Sequence, residues 1–205
     1  MKLLLATSNR GKLLEFQHLF PGSRFELVTP TDLKLKLEVV ESGTNYAENA
    51  HLKALAFARA SGLITLADDS GLEVDTLGGE PGIQSARYAG EGAGDRDRVA
   101  KLLMKLKDVV WEKRTAHFRC VIAVATPTGR VDFAEGSCDG IITFEPKGAS
   151  GFGYDPVFYF PDYGRTMAEL PMVLKNRISH RGRAAAAALP VIERMLKEAS
   201  DAGAS

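Results

Sequence analysis

Apolar positions along this chain follow first one spacing and then another, and the changes divide it into strands and helices. Residues 2–6 form a short apolar run that stops at the polar turn Thr7-Ser8-Asn9, as a buried strand does. Over 12–20, Leu13, Leu14, Phe16, Leu19 and Phe20 recur at helical spacing until Pro21-Gly22 halts them. The opening reads strand, loop, helix. A second strand is expected at 24–28, and a long helix over 44–60 with Thr44 as its N-cap, Glu48 near its first turn and Ser61-Gly62 as its stop. Residues 63–67 read as a buried strand that runs into Asp68-Asp69. After the Pro/Gly loop at 78–82, the segment 95–107 sets Val99, Leu102, Leu103 and Leu106 on one helical face. Two extended runs, 115–125 and 130–138, flank the turn Thr126-Pro127-Thr128-Gly129 and make a hairpin. A loop at 148–153, a short strand at 157–160 and an Ala-rich helix over 183–199 complete the pattern.

Composition narrows the class. At 205 residues and 45% hydrophobic content, the chain can bury a large core, so residues 1–205 are expected to fold as one domain or as two tightly joined lobes. Its 26 basic and 26 acidic residues cancel, so no global field draws it to a nucleic acid polymer or an anionic membrane. Any affinity for anions must be local. The apolar run at the start is too short for a signal peptide's core and no run reaches membrane-spanning length, which predicts a cytoplasmic location. Cys120 and Cys138 are too few for a disulfide scaffold or an unaided zinc site, and both read as reduced core residues.

Four polar stretches interrupt this frame in a fixed order. The most basic packs Lys175, Arg177, His180, Arg181 and Arg183 into nine residues around Gly182, a local concentration that calls for an anionic or oxygen-rich ligand. Thr7-Ser8-Asn9-Arg10-Gly11-Lys12 lies where a strand gives way to a helix, where main-chain N–H groups, Gly11 and the Lys12 charge can cradle phosphate. The spacing is not that of a Walker loop, and alone it reads equally as an ordinary turn. Asp68-Asp69-Ser70-Gly71 is expected at a strand end. Its adjacent acids point to opposite faces and so do different jobs, and Glu41 or Glu38 can add a further carboxylate for Mg²⁺. An Asp-turn closing a strand is the rival reading. Lys53 shares a helix face with Asn49 and gains a phosphate role only through those carboxylates. In Gly151-Phe152-Gly153-Tyr154-Asp155-Pro156 the exposed ring of Phe152 suits stacking on a flat base, while Tyr154 and Asp155 serve either the site or the turn. His18, His51 and His117 show no partner pattern.

Together with Gly78-Gly79-Glu80-Pro81-Gly82-Ile83-Gln84-Ser85-Ala86-Arg87-Tyr88, these strings resemble the inosine triphosphate pyrophosphatase family, collinearly from residue 2 to about 196. The resemblance implies an α/β fold whose mixed central sheet is flanked by helices, in two lobes with the active-site cleft between them, and a homodimer. It also implies Mg²⁺-dependent hydrolysis of dITP, ITP or XTP to the monophosphate and pyrophosphate. Carried over by motif, Thr7, Ser8, Asn9, Arg10, Gly11, Lys12 and Lys53 hold the triphosphate; Glu41 and Asp69 serve the metal, and Asp69 is the base. Ser70, Phe152, Gly153, Tyr154, Asp155, Lys175, His180 and Arg181 contact the nucleotide, mainly its base. One departure is local: Pro171-Met172-Val173-Leu174 stands where the family has acidic residues before the lysine. Two alternatives remain at this stage, a nucleotide sensor that binds without cleaving and a pyrophosphatase acting on other modified nucleotides; the carboxylates at 41, 68 and 69 favour an enzyme.

Overall fold

The computed structural model describes residues 1–203. Seven strands form one mixed, open sheet flanked by helices, in the order β2-β1-β3-β4-β5-β6-β7. β1 (Lys2–Leu5) is apolar enough to be buried on both faces, and it pairs in parallel with β2 (Glu26–Val28) and β3 (Thr65–Val74). Leu3 stands beside Leu27 and Leu4 beside Thr65. β4 (Thr115–Ala125) and β5 (Val131–Ile142) are the expected hairpin, closed where Thr126 N–H donates to the Arg130 carbonyl at 2.9 Å. β6 (Phe158–Phe160) and β7 (Arg165–Thr166) finish the sheet antiparallel.

Between β1 and β2 runs α1 (Arg10–Leu19), which begins where the Asn9 side chain accepts the Lys12 N–H at 3.0 Å. α2 (Tyr46–Ser61) corrects one boundary. Its N-cap is Asn45, whose side chain accepts the Glu48 N–H at 2.9 Å; Thr44 instead donates to the Glu48 carboxylate. The helix stops as read, at Gly62 in the left-handed conformation. α3 spans Asp95–Lys105. α4 (Met172–Ile178) was not foreseen, and α5 (His180–Gly203) starts three residues before the expected 183.

The largest difference lies in β3. The expected strand at 63–67 continues straight through Asp68, Asp69, Ser70 and Gly71, so the acidic pair is mid-strand and not at a strand end. Aspartate and glycine are weak strand formers. The two aspartates are held here because their carboxylates find partners, described below.

Two compact units divide the chain. The first comprises Met1–Asp69, Cys120–Gly136 and the C-terminal helix from Arg181; the second comprises Ser70–Arg119 and Ser137–His180. The first is built on Leu3, Leu5, Phe16, Leu66, Ile122 and Val124, with Ala184, Ala188 and Ile192 of α5 against them. The second has Leu72, Leu102, Leu106, Phe118, Val157 and Phe158 at its centre. Cys120 and Cys138 are both buried, one in each core. In the second unit the buried Arg114 guanidinium donates to the carbonyls of Leu106, Val109, Ile142 and Thr143, fastening the end of α3 to the end of β5.

Candidate active site

In the first unit, β3 presents its two aspartates to different partners, as alternation along a strand requires. The Asp68 carboxylate is almost fully buried, with Lys12 Nζ 3.0 Å from Oδ2 and the Arg181 Nη2 and Nε 3.3 and 3.4 Å from the same oxygen. Arg181 Nη1 donates to Glu15 Oε2 at 2.7 Å. Burial alone would push Asp68 up; Lys12, Arg181 and Lys53 outweigh it and hold the carboxyl well below the usual range. Burial likewise opposes the Arg181 charge, but Asp68 and Glu15 overcome it and raise the pKa.

Asp69 is set up in the opposite way. Burial pushes its pKa above the ordinary value, and Lys53, Lys12 and the 3.1 Å hydrogen bond from Asn49 Nδ2 offset only part of that. Lys53 Nζ lies 2.8 Å from Glu41 Oε1, 3.8 Å from Asp69 Oδ1, and donates to the Asp68 main-chain carbonyl at 2.7 Å. Desolvation works against its charge, and Asp68, Asp69 and Glu41 more than restore it. The two neighbouring carboxyls thus have pKa values pushed in opposite directions, Asp68 down and Asp69 up, the pattern a division of labour between counter-ion and proton acceptor requires.

The donor set tests the expected cation. Among the described residues no group of three or more His, Cys, Asp and Glu could hold a metal. Glu41 and Asp69 offer carboxylate oxygens around a single ammonium group. Two such ligands fit Mg²⁺, a hard ion that keeps waters and takes further oxygens from phosphates.

At the start of α1, Asn9 caps the helix and Thr7 Oγ1 accepts the Asn9 N–H at 3.2 Å, so both side chains shape the turn. Ser8 and Arg10 are exposed, Gly11 and Lys12 partly so. Ser70 is half-buried beside Asp69.

The second unit holds the ring-binding candidates. Asp155 accepts the Phe152 N–H at 2.9 Å and pairs with the Lys175 ammonium, both side chains being 5% exposed. Lys175 Nζ lies 5.5 Å from the centre of the half-buried Phe152 ring. Gly153 N–H donates to Asp95 Oδ2 at 2.7 Å. Tyr154 is buried and its hydroxyl donates to the Ser85 carbonyl at 3.0 Å, so this residue anchors the loop to the core. His180, also buried, stacks on Phe118 with ring centres 4.5 Å apart and planes 9° off parallel.

The sequence-level candidates therefore gather in two groups. Thr7 to Lys12, Glu41, Lys53 and Asp69 fall in the first unit, and Phe152 to Asp155, Lys175 and His180 in the second. Arg181 falls in the first unit, where three donors of its guanidinium engage Asp68 and Glu15. Sequence reasoning missed Glu15 altogether. Its one signal was a carboxylate three residues after Lys12, on the same helical face and among apolar positions.

Relatives place this arrangement among known proteins. The chain matches the Ham1 family over residues 3–191 and belongs to it. A dITP/XTP pyrophosphatase of Desulforamulus reducens is 51% identical over 195 residues, covering 95% of this chain and 97% of that one. Another, from Geobacter sulfurreducens, is 49% identical and covers 90% and 93%. Among solved structures, a HAM1 protein from Coxiella burnetii superposes with a TM-score of 0.85 at 39% identity, covering 95% of this chain and 99% of that one. A nucleoside-triphosphatase, dITP/XTP pyrophosphatase, from Mycobacterium abscessus gives 0.74 at 43%, covering 93% and 100%.

Proposed function

We propose that this chain is a nucleoside triphosphate pyrophosphohydrolase that converts dITP, ITP and XTP to the monophosphate and pyrophosphate. Its relatives carry the name of that activity at about half of their residues identical. The observation that carries the chemistry is Asp69, a buried carboxyl with a raised pKa, facing Lys53 and Glu41.

The mechanism follows from charge. A triphosphate brings about four negative charges, which a chain of zero net charge must meet locally. Lys12, Lys53 and the N-terminus of α1 supply that field, and the same field stabilises the charge that builds on departing pyrophosphate. Asp69 orients a water toward the α-phosphorus and takes its proton; the water oxygen bonds to phosphorus as the bond to the β-phosphate oxygen breaks. Glu41 and Asp69 are the residues to hold Mg²⁺, which when bound neutralises phosphate oxygens and acidifies a coordinated water. Asn49 keeps the Asp69 carboxylate oriented.

On the base side, Phe152 stacks on the purine, Lys175, Arg181 and the His180 region donate to an oxygen at C6, and Ser70 and Gly153 to Asp155 shape the loop around it. Adenine has an amine at C6, so a donor would meet a donor. A site built to hydrogen-bond one group rejects its mismatch by roughly 10⁴–10⁵-fold in favourable cases. The family resemblance supports a homodimer, and the cancelled charge supports a protein not drawn to nucleic acid or an anionic membrane; action in the cytoplasm is part of the same proposal, and no described helix is long and apolar enough to cross a membrane.

A panel of nucleoside triphosphates with product analysis tests this reading. ITP, dITP and XTP should be turned over well above GTP, with ATP lowest, releasing pyrophosphate. Oxygen from labelled water should appear in the monophosphate, and excess EDTA should stop turnover until Mg²⁺ is restored. Equal kcat/KM for ATP and ITP, or label in released phosphate, would reject it.

A further inference from the structure

We propose that Asp95, the first residue of α3, is a positioning residue for the ring-binding loop: its carboxylate grips the Gly153 amide and so sets the place of Phe152. The inference rests on the reading of Phe152 as the ring that meets the purine, and it adds a residue that lies outside every polar string of the sequence.

Phe152 stands on a turn with few bonds of its own. The Asp155 N–H donates to the Phe152 carbonyl at 3.2 Å, and the Phe152 N–H donates to Asp155 Oδ2 at 2.9 Å. Between them Gly153 holds φ at +62°, which suits glycine but brings no side chain to pack. A Cβ built there would meet nothing within 4 Å. Side-chain packing gives this peptide no support from that direction, so hydrogen bonds must supply it. Two arrive from earlier in the same unit: the Tyr154 hydroxyl donates to the Ser85 carbonyl at 3.0 Å, and the Gly153 N–H to Asp95 Oδ2 at 2.7 Å. The second grips the peptide that directly follows Phe152.

Asp95 begins α3 without having to cap it, because Asp97 accepts the Gly94 N–H at 2.8 Å. Its carboxylate can therefore serve something outside the helix. Arg98, one turn on, brings Nη1 to 2.5 Å from Oδ1 while Nη2 donates to the Ala93 carbonyl at 2.7 Å, so the guanidinium is itself held at two points. One carboxylate oxygen is fixed and the other is aimed at Gly153. The Asp95 side chain is 45% exposed, so its ion pair adds little to stability. Orientation is what the pair supplies, and a charged acceptor binds an N–H more strongly than a neutral one does. Loss of Asp95 leaves the peptide between Phe152 and Gly153 without its anchor, and the ring then samples positions that do not stack.

Amide hydrogen exchange and kinetics on the whole chain test this together. In Asp95→Ala the Gly153 N–H should exchange about tenfold faster or more, since a bond to a charged acceptor is lost. KM for ITP should rise about tenfold with kcat within about twofold of wild type, as when binding common to ground and transition states is removed. Affinity for inorganic tripolyphosphate, measured by calorimetry in metal-free buffer, should stay within about twofold, because that probe has no base and Lys12 and Lys53 belong to the other unit. Asp95→Asn keeps an oxygen for the Gly153 N–H and should lose less; it also serves where Asp95→Ala does not fold. Asp97→Ala removes the other acid of the first turn, so it should lower the melting temperature while KM and Gly153 exchange stay within about twofold of wild type. Phe152→Ala should raise KM for ITP at least as far as Asp95→Ala. A wild-type KM in Asp95→Ala beside a raised one in Phe152→Ala, or an equal rise in Asp97→Ala, overturns the inference and leaves the ring-binding reading intact. A wild-type KM in Phe152→Ala overturns that reading and the inference with it.

Discussion

Asp69 carries a charge that its surroundings only partly support, because burial raises its pKa and the facing lysines return part of the difference. That imbalance is what a general base requires: an acceptor whose proton affinity sits closer to working pH than a free carboxylate's. The deprotonated form is the active one, so kcat/KM is present at high pH and lost as pH falls through the raised Asp69 value. The acid limb should lie above the ordinary aspartate value of about 3.9. Asp69→Asn keeps the shape and removes both charge and basicity. Its turnover should fall roughly 10²–10⁴-fold and its residual rate should lose that limb. Retention of more than about a tenth of the rate, or an unchanged limb, would show that Asp69 is not the base. Asp68, one residue away, has the reverse environment and should contribute no limb of its own.

Among the elements, the 148–156 loop is where a small change has a directed effect. Gly151 holds φ at +80°, and a Cβ there would lie 2.0 Å from Asp155 Oδ2 and 3.0 Å from Lys175 Nζ. Gly151→Ala must therefore strain the backbone and dislodge the carboxylate that seats Lys175. Its KM for ITP should rise several-fold, while tripolyphosphate affinity stays at the wild-type value, since Lys12 and Lys53 belong to the other unit; a wild-type KM would separate Asp155 from ring binding. The same scale shows what the sequence makes legible. Helices α1 and α2 and the β4–β5 hairpin are readable because caps, stops and periodicity agree there. β3 is cut short on paper because Asp68, Asp69 and Gly71 are poor strand formers, and the partners that hold them lie 56 and 113 residues away at Lys12 and Arg181. α4 escapes notice because Lys175, Asn176 and Arg177 break its apolar spacing. The contact between Arg181 and Glu15 is not legible either, because the two lie 166 residues apart and no local pattern links them.

For the molecule as a whole, stability should depend on pH through a histidine outside the site. His117 on β4 sets Nδ1 2.8 Å from Asp139 Oδ1 on β5 and Nε2 3.2 Å from Asp75 Oδ1 just beyond β3, tying together three neighbouring stretches of the sheet. Thr115 also donates to Asp75, and Arg119 pairs with Glu73 at 2.8 Å on the same strands. The hydrogen bond to Asp139 raises the His117 pKa; burial opposes it, and the charge of Asp75 adds to the rise. The sign follows. A histidine whose folded pKa exceeds its unfolded value, near 6.5, binds its proton more tightly when folded, so its stabilisation is complete below about 6.5 and disappears as pH rises through the higher folded value. All three side chains are at least a third exposed, so the effect is modest and sensitive to salt. Melting temperatures of wild type and His117→Gln across roughly pH 5 to 9 isolate it, because other titrating groups cancel in the difference. Wild type should melt higher at the acid end, the gap should close toward the alkaline end, and about 1 M salt should shrink it throughout. A gap that widened with rising pH would mean that His117 is held neutral in the folded chain and that the two aspartates do not act on it as a pair.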